Sequence, residues 1–375
     1  MLTRNKLTVR YRVLALAIGC WGILSGEVFS QIAYEDIWSN AVFYENKENP
    51  TVQKIAFTGR FQGESYWFDS DQGDADDSTW RRLRGGFKNT VFDVWTFHFE
   101  GDFNLNNDAS YNRLTDAYIS RKLNDGATVK IGKQSAGFTL GGATSSKSLI
   151  TMQRNNLSNN MWFTAEYFTG ISVSGPTEEG YFYKVGLFSN DPNGEFSHWD
   201  ASFFGLFSVG KDHADQVGID KAEVRFDYVY NDEDPRANTR NFGQVASIVT
   251  QWEDGNWGLW TDLSYGKGYR SQSDMWGLVL MPFYNINDKL QLVFRYTHLD
   301  SSDGNGVRLG RYESRILSGR GDKYDEFYAG FNVYFYGHKL KWQTGLQKTR
   351  MKDTINDGGE LTDGLGLTTG FRISW

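Results

Sequence analysis

Leu367-Thr368-Thr369-Gly370-Phe371-Arg372-Ile373-Ser374-Trp375 ends the sequence. From Leu367 every second residue is apolar or β-branched, and the residues between are Thr, Gly, Arg and Ser. Such alternation makes a strand with one oily face and one polar face. An aromatic ring at the end of a strand like this predicts the close of a bacterial outer-membrane barrel, with the ring in an interfacial girdle.

The same period of two recurs upstream. Sixteen segments carry it: 54–68, 79–90, 93–104, 114–123, 127–137, 170–177, 180–190, 199–210, 220–232, 242–254, 257–269, 275–285, 289–301, 325–337, 340–353 and 367–375. Connections after even-numbered segments are mostly tight, as at Val91-Phe92, Asn124-Asp125-Gly126 and Asn287-Asp288. Those after odd-numbered segments are longer and polar: 69–78, 105–113, 138–169, 191–198, 233–241, 302–324 and 354–366, with the connection at 270–274 short and the turn at 211–219 long. Short turns at one end and long loops at the other mark a membrane barrel. The expectation is an all-β transmembrane antiparallel barrel of about 16 strands over residues 54–375. An even, closed set leaves no strand edge in lipid, and a ring of this size encloses water rather than a packed core.

Composition agrees. Aromatic residues make up 16% of the chain, 13 of them Trp, while mean hydropathy is only −0.53. A polar lumen dilutes the hydropathy, and a lipid face with two belts demands rings. A soluble, polysaccharide-binding β-protein shares this composition but has no reason to alternate short and long connections. Nucleic-acid binding is excluded by a pI near 5.4 and the lack of a basic stretch interleaved with aromatics.

Arg4, Lys6, Arg10 and Arg12 precede a short apolar run, Val13 to Leu24, and Val28-Phe29-Ser30 offers small residues before Gln31. That pattern predicts a signal peptide over residues 1–30 and export to the outer membrane. Cys20, the only cysteine, lies inside it, so a mature chain has no disulfide, thiolate metal site or cysteine nucleophile. Residues 31–53 read as a periplasmic segment with a short helix around Asp36 to Phe43.

Formal net charge is −7, which taken alone suggests a cation pore. Sorting by face reverses this. Arg60, Arg82, Arg84, Lys88, Lys130, Lys184, Arg225, Arg295, Lys341 and Arg372 fall on the lumen side, against Glu100, Asp102, Asp116, Glu223, Asp227 and Asp262. Arg372 and Arg60, on adjoining strands, belong to one basic lining. Much of the acid sits in loops such as Asp69 to Asp77, either simply solvated or collecting divalent cations that bridge to lipopolysaccharide; no EF-hand spacing is present. Charge on the wall of a narrow conduit sets its selectivity, so the expectation is an anion-favouring pore; a mixed-charge wall of no consequence is the other reading.

Catalysis finds little support. A barrel hydrolase needs a nucleophile, a base and an orienting group within reach. Of His98, His198, His213, His298 and His338, only His198 and His298 lie near long loops, and no Gly-x-Ser-x-Gly elbow or zinc-type spacing accompanies them. No catalytic residue, cofactor or metal ligand is assigned.

Between Trp80 and Asn190 four passages resemble the phosphate-selective porin O and P family: Trp80-Arg81-Arg82-Leu83-Arg84-Gly85-Gly86-Phe87, Leu114-Thr115-Asp116-Ala117-Tyr118-Ile119, Val129 to Phe138, and Ala143-Thr144-Ser145-Ser146-Lys147 followed by Gln153-Arg154-Asn155. Ala56 to Gln62 matches more weakly. The resemblance implies a sixteen-stranded barrel, usually a homotrimer, whose third loop folds inward to constrict the lumen, and passive uptake of small anions, phosphate among them. It implies a basic ladder including Arg60 and Arg84, and a constriction using Arg81, Arg82, Ser146, Lys147 and Asp116. Paired arginine forks match phosphate oxygens, Lys adds a point charge and Ser a hydrogen bond. Two positions depart from the family: Gly141-Gly142 stands where phosphate binders carry a Lys, and Gln153 where they carry a Glu. A general porin is the alternative reading. Arg81 and Arg82 are adjacent, and strict alternation would send Arg81 outward to snorkel at the interface.

Overall fold

The computed structural model describes residues 29–106, 110–163, 166–191, 194–356 and 359–375. The predicted signal peptide lies almost wholly outside the described residues.

Sixteen antiparallel strands close into a barrel: β1 Val52–Ser70, β2 Gly73–Val91, β3 Trp95–Phe103, β4 Tyr111–Lys122, β5 Thr128–Ser135, β6 Tyr167–Pro176, β7 Tyr181–Ser189, β8 Phe203–Asp212, β9 Lys221–Asn231, β10 Phe242–Asp254, β11 Trp257–Gly268, β12 Met275–Asn287, β13 Leu290–Ser301, β14 Lys323–Tyr336, β15 Leu340–Asp353 and β16 Gly359–Ser374. The seam runs from Gly364 opposite Ser70 to Ser374 opposite Arg60, so β16 pairs with β1 as the closing strand requires. Parity follows the sequence: Phe99 and Phe327 are 58% and 61% exposed on the outer face, and their neighbours Glu100 and Tyr328 are buried within.

Three expected connections change. The acidic run at 69–78 is no loop: β1 and β2 continue through it and meet at a turn of Asp71 and Gln72. These strand ends are largely exposed, with only Ala75 packed inward, so no apolar alternation marks them. The 354–366 loop shrinks because β16 begins at Gly359. The long turn near 211–219 holds a short helix, α4 (Ala214–Val217), ended by Gly218 at φ 79, a conformation that suits glycine.

Before the barrel, α1 (Phe29–Ser39) stops earlier than predicted. Trp38 donates Nε1–H to Ser374 O at 2.7 Å and stacks on Trp375 at 6.2 Å. A short strand, Val42–Glu45, then pairs with β1 from Ala56 to Lys54, occupying the wall beyond the end of β16.

The third loop folds inward, carrying α2 (Leu140–Ala143) and α3 (Asn156–Met161). Asn155 caps α3, its side chain accepting from Ser158 N at 2.7 Å. Wall carboxylates hold the start of α2: Asp227 accepts from Thr139 N at 2.9 Å and Asp262 from Leu140 N at 2.7 Å. Phe138, Leu157, Met161 and Phe163 are fully buried against Phe188, Phe204, Val245, Val279 and Val293. Each buried side chain of this size contributes about 2 kcal/mol. The expected open lumen is thereby corrected: on the side of β7 to β13 the third loop packs an apolar core, and the remaining cavity borders β2 to β4. The seventh loop, 302–322, also turns inward, through the hairpin Val307–Arg308 with Arg320–Gly321 and the buried Tyr312.

Candidate functional site

An extended backbone crossing a lumen has no ladder to satisfy its carbonyls, so side chains must do so. Wall cations supply the donors. Arg60 Nη1 donates to Ser146 Oγ at 2.7 Å, Lys341 Nζ to Leu149 O at 2.5 Å, and Arg372 Nη2 to Met152 O. Arg295 Nη1 donates to Thr151 Oγ1 and Gln153 O, both at 2.9 Å. Gln62, Asn332 and Gln343 bind Ser146 O, Ile150 O and Leu149 O at 3.0, 2.8 and 3.0 Å. Arg60, Arg295, Lys341 and Arg372, read from sequence as lumen-facing, thus spend part of their donors on the loop and part on the wall groups Glu100, Glu326, His338 and Gln62.

Toward the short-turn end lie Ser146, Lys147 and Asp116. Lys147 Nζ donates to Thr58 Oγ1 at 3.1 Å and to Trp375 O. Burial, then the charge of Arg60, pushes its ammonium down to about 8. Asp116 shares a β-bulge with Thr115 opposite Glu100, and Glu100, Lys130, Arg60 and Arg84 are its main electrostatic neighbours. Lys130 Nζ sits 4.2 Å from the centre of the Tyr118 ring.

Arg81 and Arg82 face the long-loop end. Gln62 pairs with Arg82 and Gly63 with Trp80, so Arg81 is the extra residue of a bulge. A bulge re-aims the side chain it adds. Arg81 does not snorkel outward: its Nε donates to Gln153 Oε1 at 3.3 Å, and Arg82 Nη1 donates to Gln62 Oε1 at 3.0 Å. Both line a cavity of about 690 Å³ together with Arg84, Arg113, Arg154, Arg240, Arg311 and Arg315. Against these eight arginines the lining holds two carboxylates, Asp102 and Glu166.

The carboxylates are already shared. Arg84 lies 3.3 Å from Asp102 and 3.5 Å from Glu166, and Arg113 and Arg154 approach Glu166 at 3.5 and 3.6 Å. Burial alone would raise the Glu166 carboxyl, but Arg84, Arg154, Arg82 and Arg113 overcome it and hold the group well below the usual carboxylate range. Among the described residues, Arg81, Arg82, Arg240 and Arg315 have no carboxylate within 4.0 Å. Unpaired guanidiniums around a water-filled mouth with low-dielectric walls make a strong positive field. Trp162, under Arg154 at 4.7 Å, adds a buried Nε1–H without a partner among the described residues.

The predicted residues therefore fall into two groups. Arg81, Arg82 and Arg84 line the mouth; Arg60, Ser146, Lys147 and Asp116 lie on the short-turn side of the third loop. Arg113, Arg240, Arg311 and Arg315 escaped the sequence reading, and Arg154, quoted there within a family-like passage, received no site role. Arg113 sits at a strand end and the others in loops, where no periodicity assigns a face. His298 meets Asp325 at 2.9 Å and bonds no serine among the described residues.

Residues 55–267 match the model of the family described as phosphate-selective porin O and P. No curated protein sequence matches. Among solved structures, the anion-selective porin from Comamonas acidovorans is 12% identical, with 86% of this chain and 99% of that one covered at a TM-score of 0.59. The outer membrane channel DcaP of Acinetobacter baumannii is 14% identical (89% and 100% covered, TM-score 0.58). Salmonella typhi OmpF, solved with daunomycin, is 10% identical (88% and 100% covered, TM-score 0.60). At these identities the structures share the barrel fold.

Proposed function

The chain belongs to the phosphate-selective porin O and P family and forms an outer-membrane porin channel; from that premise we propose that it passes small anions in preference to cations and holds oxyanions, phosphate among them, at Arg81 and Arg82. The bulge that turns both arginines into an arginine-rich mouth carries the proposal. The mouth's eight arginines and two carboxylates differ by six positive charges, although the whole chain is acidic by seven. The name of the Comamonas porin, anion-selective, agrees. Arg84 extends the mouth toward Arg60, Ser146, Lys147 and Asp116, where a bound anion would be handed on and released. In this reading residues 1–30 direct export, residues 31–53 lie in the periplasm with the short turns, the long loops face outward among lipopolysaccharide, and the barrel assembles as a homotrimer.

One observation favours weak rather than tight phosphate binding. A Cβ at Gly141 would meet Ser158 Oγ at 2.5 Å, and one at Gly142 would meet Trp162 Cδ1 at 2.7 Å. A Lys of the phosphate-binding type therefore has no room at either position. Chloride current through single channels, measured while phosphate is added, tests the proposal. Concentration-dependent block, weakened in Arg81→Gln/Arg82→Gln, is expected. Indifference of the wild-type current to phosphate would make this a general porin.

A further inference from the structure

The strand registers of β13 to β16 stack the outward side chains of the wall into rows. One row reads Phe294, Ala329, Leu346 and Leu367; the next, toward the long loops, reads Tyr296, Phe327, Lys348 and Leu365. Ala329 is the small residue of the first row. Large apolar side chains stand round it, with Phe294 and Phe327 52% and 61% exposed. The notch between them opens a groove of about 450 Å³ on the lipid face, lined also by Leu346 and Leu365, with Lys348 at its rim.

The two rows above the groove are charged: His298, Asp325, Arg350 and Asp363, then Asp300, Lys323, Lys352 and Glu360. Trp276, opposite Asp300 on β12, resumes the aromatic belt. The signs are unevenly spread. The central strands β14 and β15 present Lys323, Lys348, Arg350 and Lys352 against Asp325, while Asp300, Glu360 and Asp363 stand on the flanking strands. Lys348 meets Asp363 and Arg350 meets Glu360. Lys323 reaches Asp300 only at 3.8 Å, and among the described residues Lys352 has no carboxylate within 4.0 Å. Lys323 and Lys352 face each other in register, where like charges repel and an anion seated between them would remove the repulsion.

We propose that this outer face holds one molecule of lipid A, the phosphorylated and acylated anchor of lipopolysaccharide. A phosphate lies between Lys323 and Lys352, and an acyl chain fills the notch at Ala329. An apolar groove capped by cations matches a chain joined to an anionic headgroup. The groove alone would suit any acyl chain; the cations over β14 and β15 select a phosphorylated one. The site rests on the outer-membrane placement with the long loops outward, which sets these cations at the headgroups of the outer leaflet. It does not depend on which ion the pore passes.

The test uses the purified full-length protein in detergent, with bisphosphorylated lipid A added and bound molecules counted by native mass spectrometry. Lys323→Gln/Lys352→Gln is expected to raise the lipid A concentration for half-occupancy by about thirtyfold, the scale of two lysines at an anionic lipid surface. Ala329→Phe, which fills the notch and keeps the cations, is expected to weaken binding in the same direction. Lipid A stripped of its phosphates should bind wild type and the glutamine variant alike. Unchanged occupancy in either variant, or phosphatidylglycerol bound as tightly as lipid A, overturns the site. Disulfide cross-linking of two copies through Ala329→Cys would put a second chain on this face and overturn it as well. A membrane-impermeant thiol reagent on intact cells carrying Ser302→Cys, in the exposed part of the seventh loop, reads the orientation separately. Labelling supports outward long loops, and no labelling overturns the placement and the site together. Heat-modifiable migration confirms that each variant is folded.

Discussion

Replacing Arg295 by Met removes a cation that does two jobs. Its Nε and Nη2 meet Glu326 Oε1 at 2.8 Å, with both side chains at most 5% exposed. Its Nη1 holds Thr151 and Gln153 of the third loop. Glu313, buried nearby, keeps an Oε2 with no partner among the described residues. Arg295→Met thus leaves the buried Glu326 carboxyl without its cation, and breaking one side of a buried pair costs about 3–5 kcal/mol. Arg295→Met/Glu326→Leu removes the stranded charge and leaves only the loop's lost donors, about 1–3 kcal/mol. Urea unfolding of the barrel in lipid vesicles measures both, and limited proteolysis reads release of the third loop. Both variants should expose that loop to cleavage, and the double variant should recover part of the lost stability. A single variant within about 0.5 kcal/mol of wild type, or a double variant no better than the single, would refute the reasoning.

Glu166→Gln should free Arg84, Arg113 and Arg154 from a shared carboxylate and increase anion over cation permeability, read as a shift in reversal potential; no shift would mean that Glu166 does not set the field. The Glu166 carboxyl is depressed in the folded state, so its stabilisation is full above the unfolded value of about 4.3 and is lost as pH falls below it. Melting of the folded band on denaturing gels should hold from pH 7 to about 5, then fall at lower pH in wild type more than in Glu166→Gln. Lys147, pushed down to about 8, should lose its charge between neutral and mildly alkaline pH. Anion selectivity should decline over that window, and Lys147→Met should be flat across it; an equal decline in the variant would assign the change elsewhere.

Period-two alternation placed all sixteen strands because lipid demands apolar residues on one face at every second position. The signal ended where lipid ends. The tip of β2 at Asp74 to Asp77 is largely exposed, with only Ala75 packed inward, so it reads as a loop. It was also ambiguous where both faces are dry: Phe188 and Phe204 point inward yet are as apolar as their outward neighbours, because the third loop packs on them. Face assignment correctly put Arg295, Lys341 and Arg372 inside, but parity cannot say whether an inward cation meets water or a loop carbonyl. Arg81 illustrates the same limit, since only the bulge opposite Gln62 and Gly63 brings two consecutive arginines to one side. Loop arginines such as Arg240 and Arg311 carry no periodic signal and became part of the mouth only through the folding of the loops.

The reversal potential of the wild-type channel across a potassium chloride gradient tests the central claim most directly. The arginine excess at the mouth predicts chloride selectivity, with the potential lying toward the chloride equilibrium value despite the chain's net charge of −7. A potential on the potassium side would contradict it.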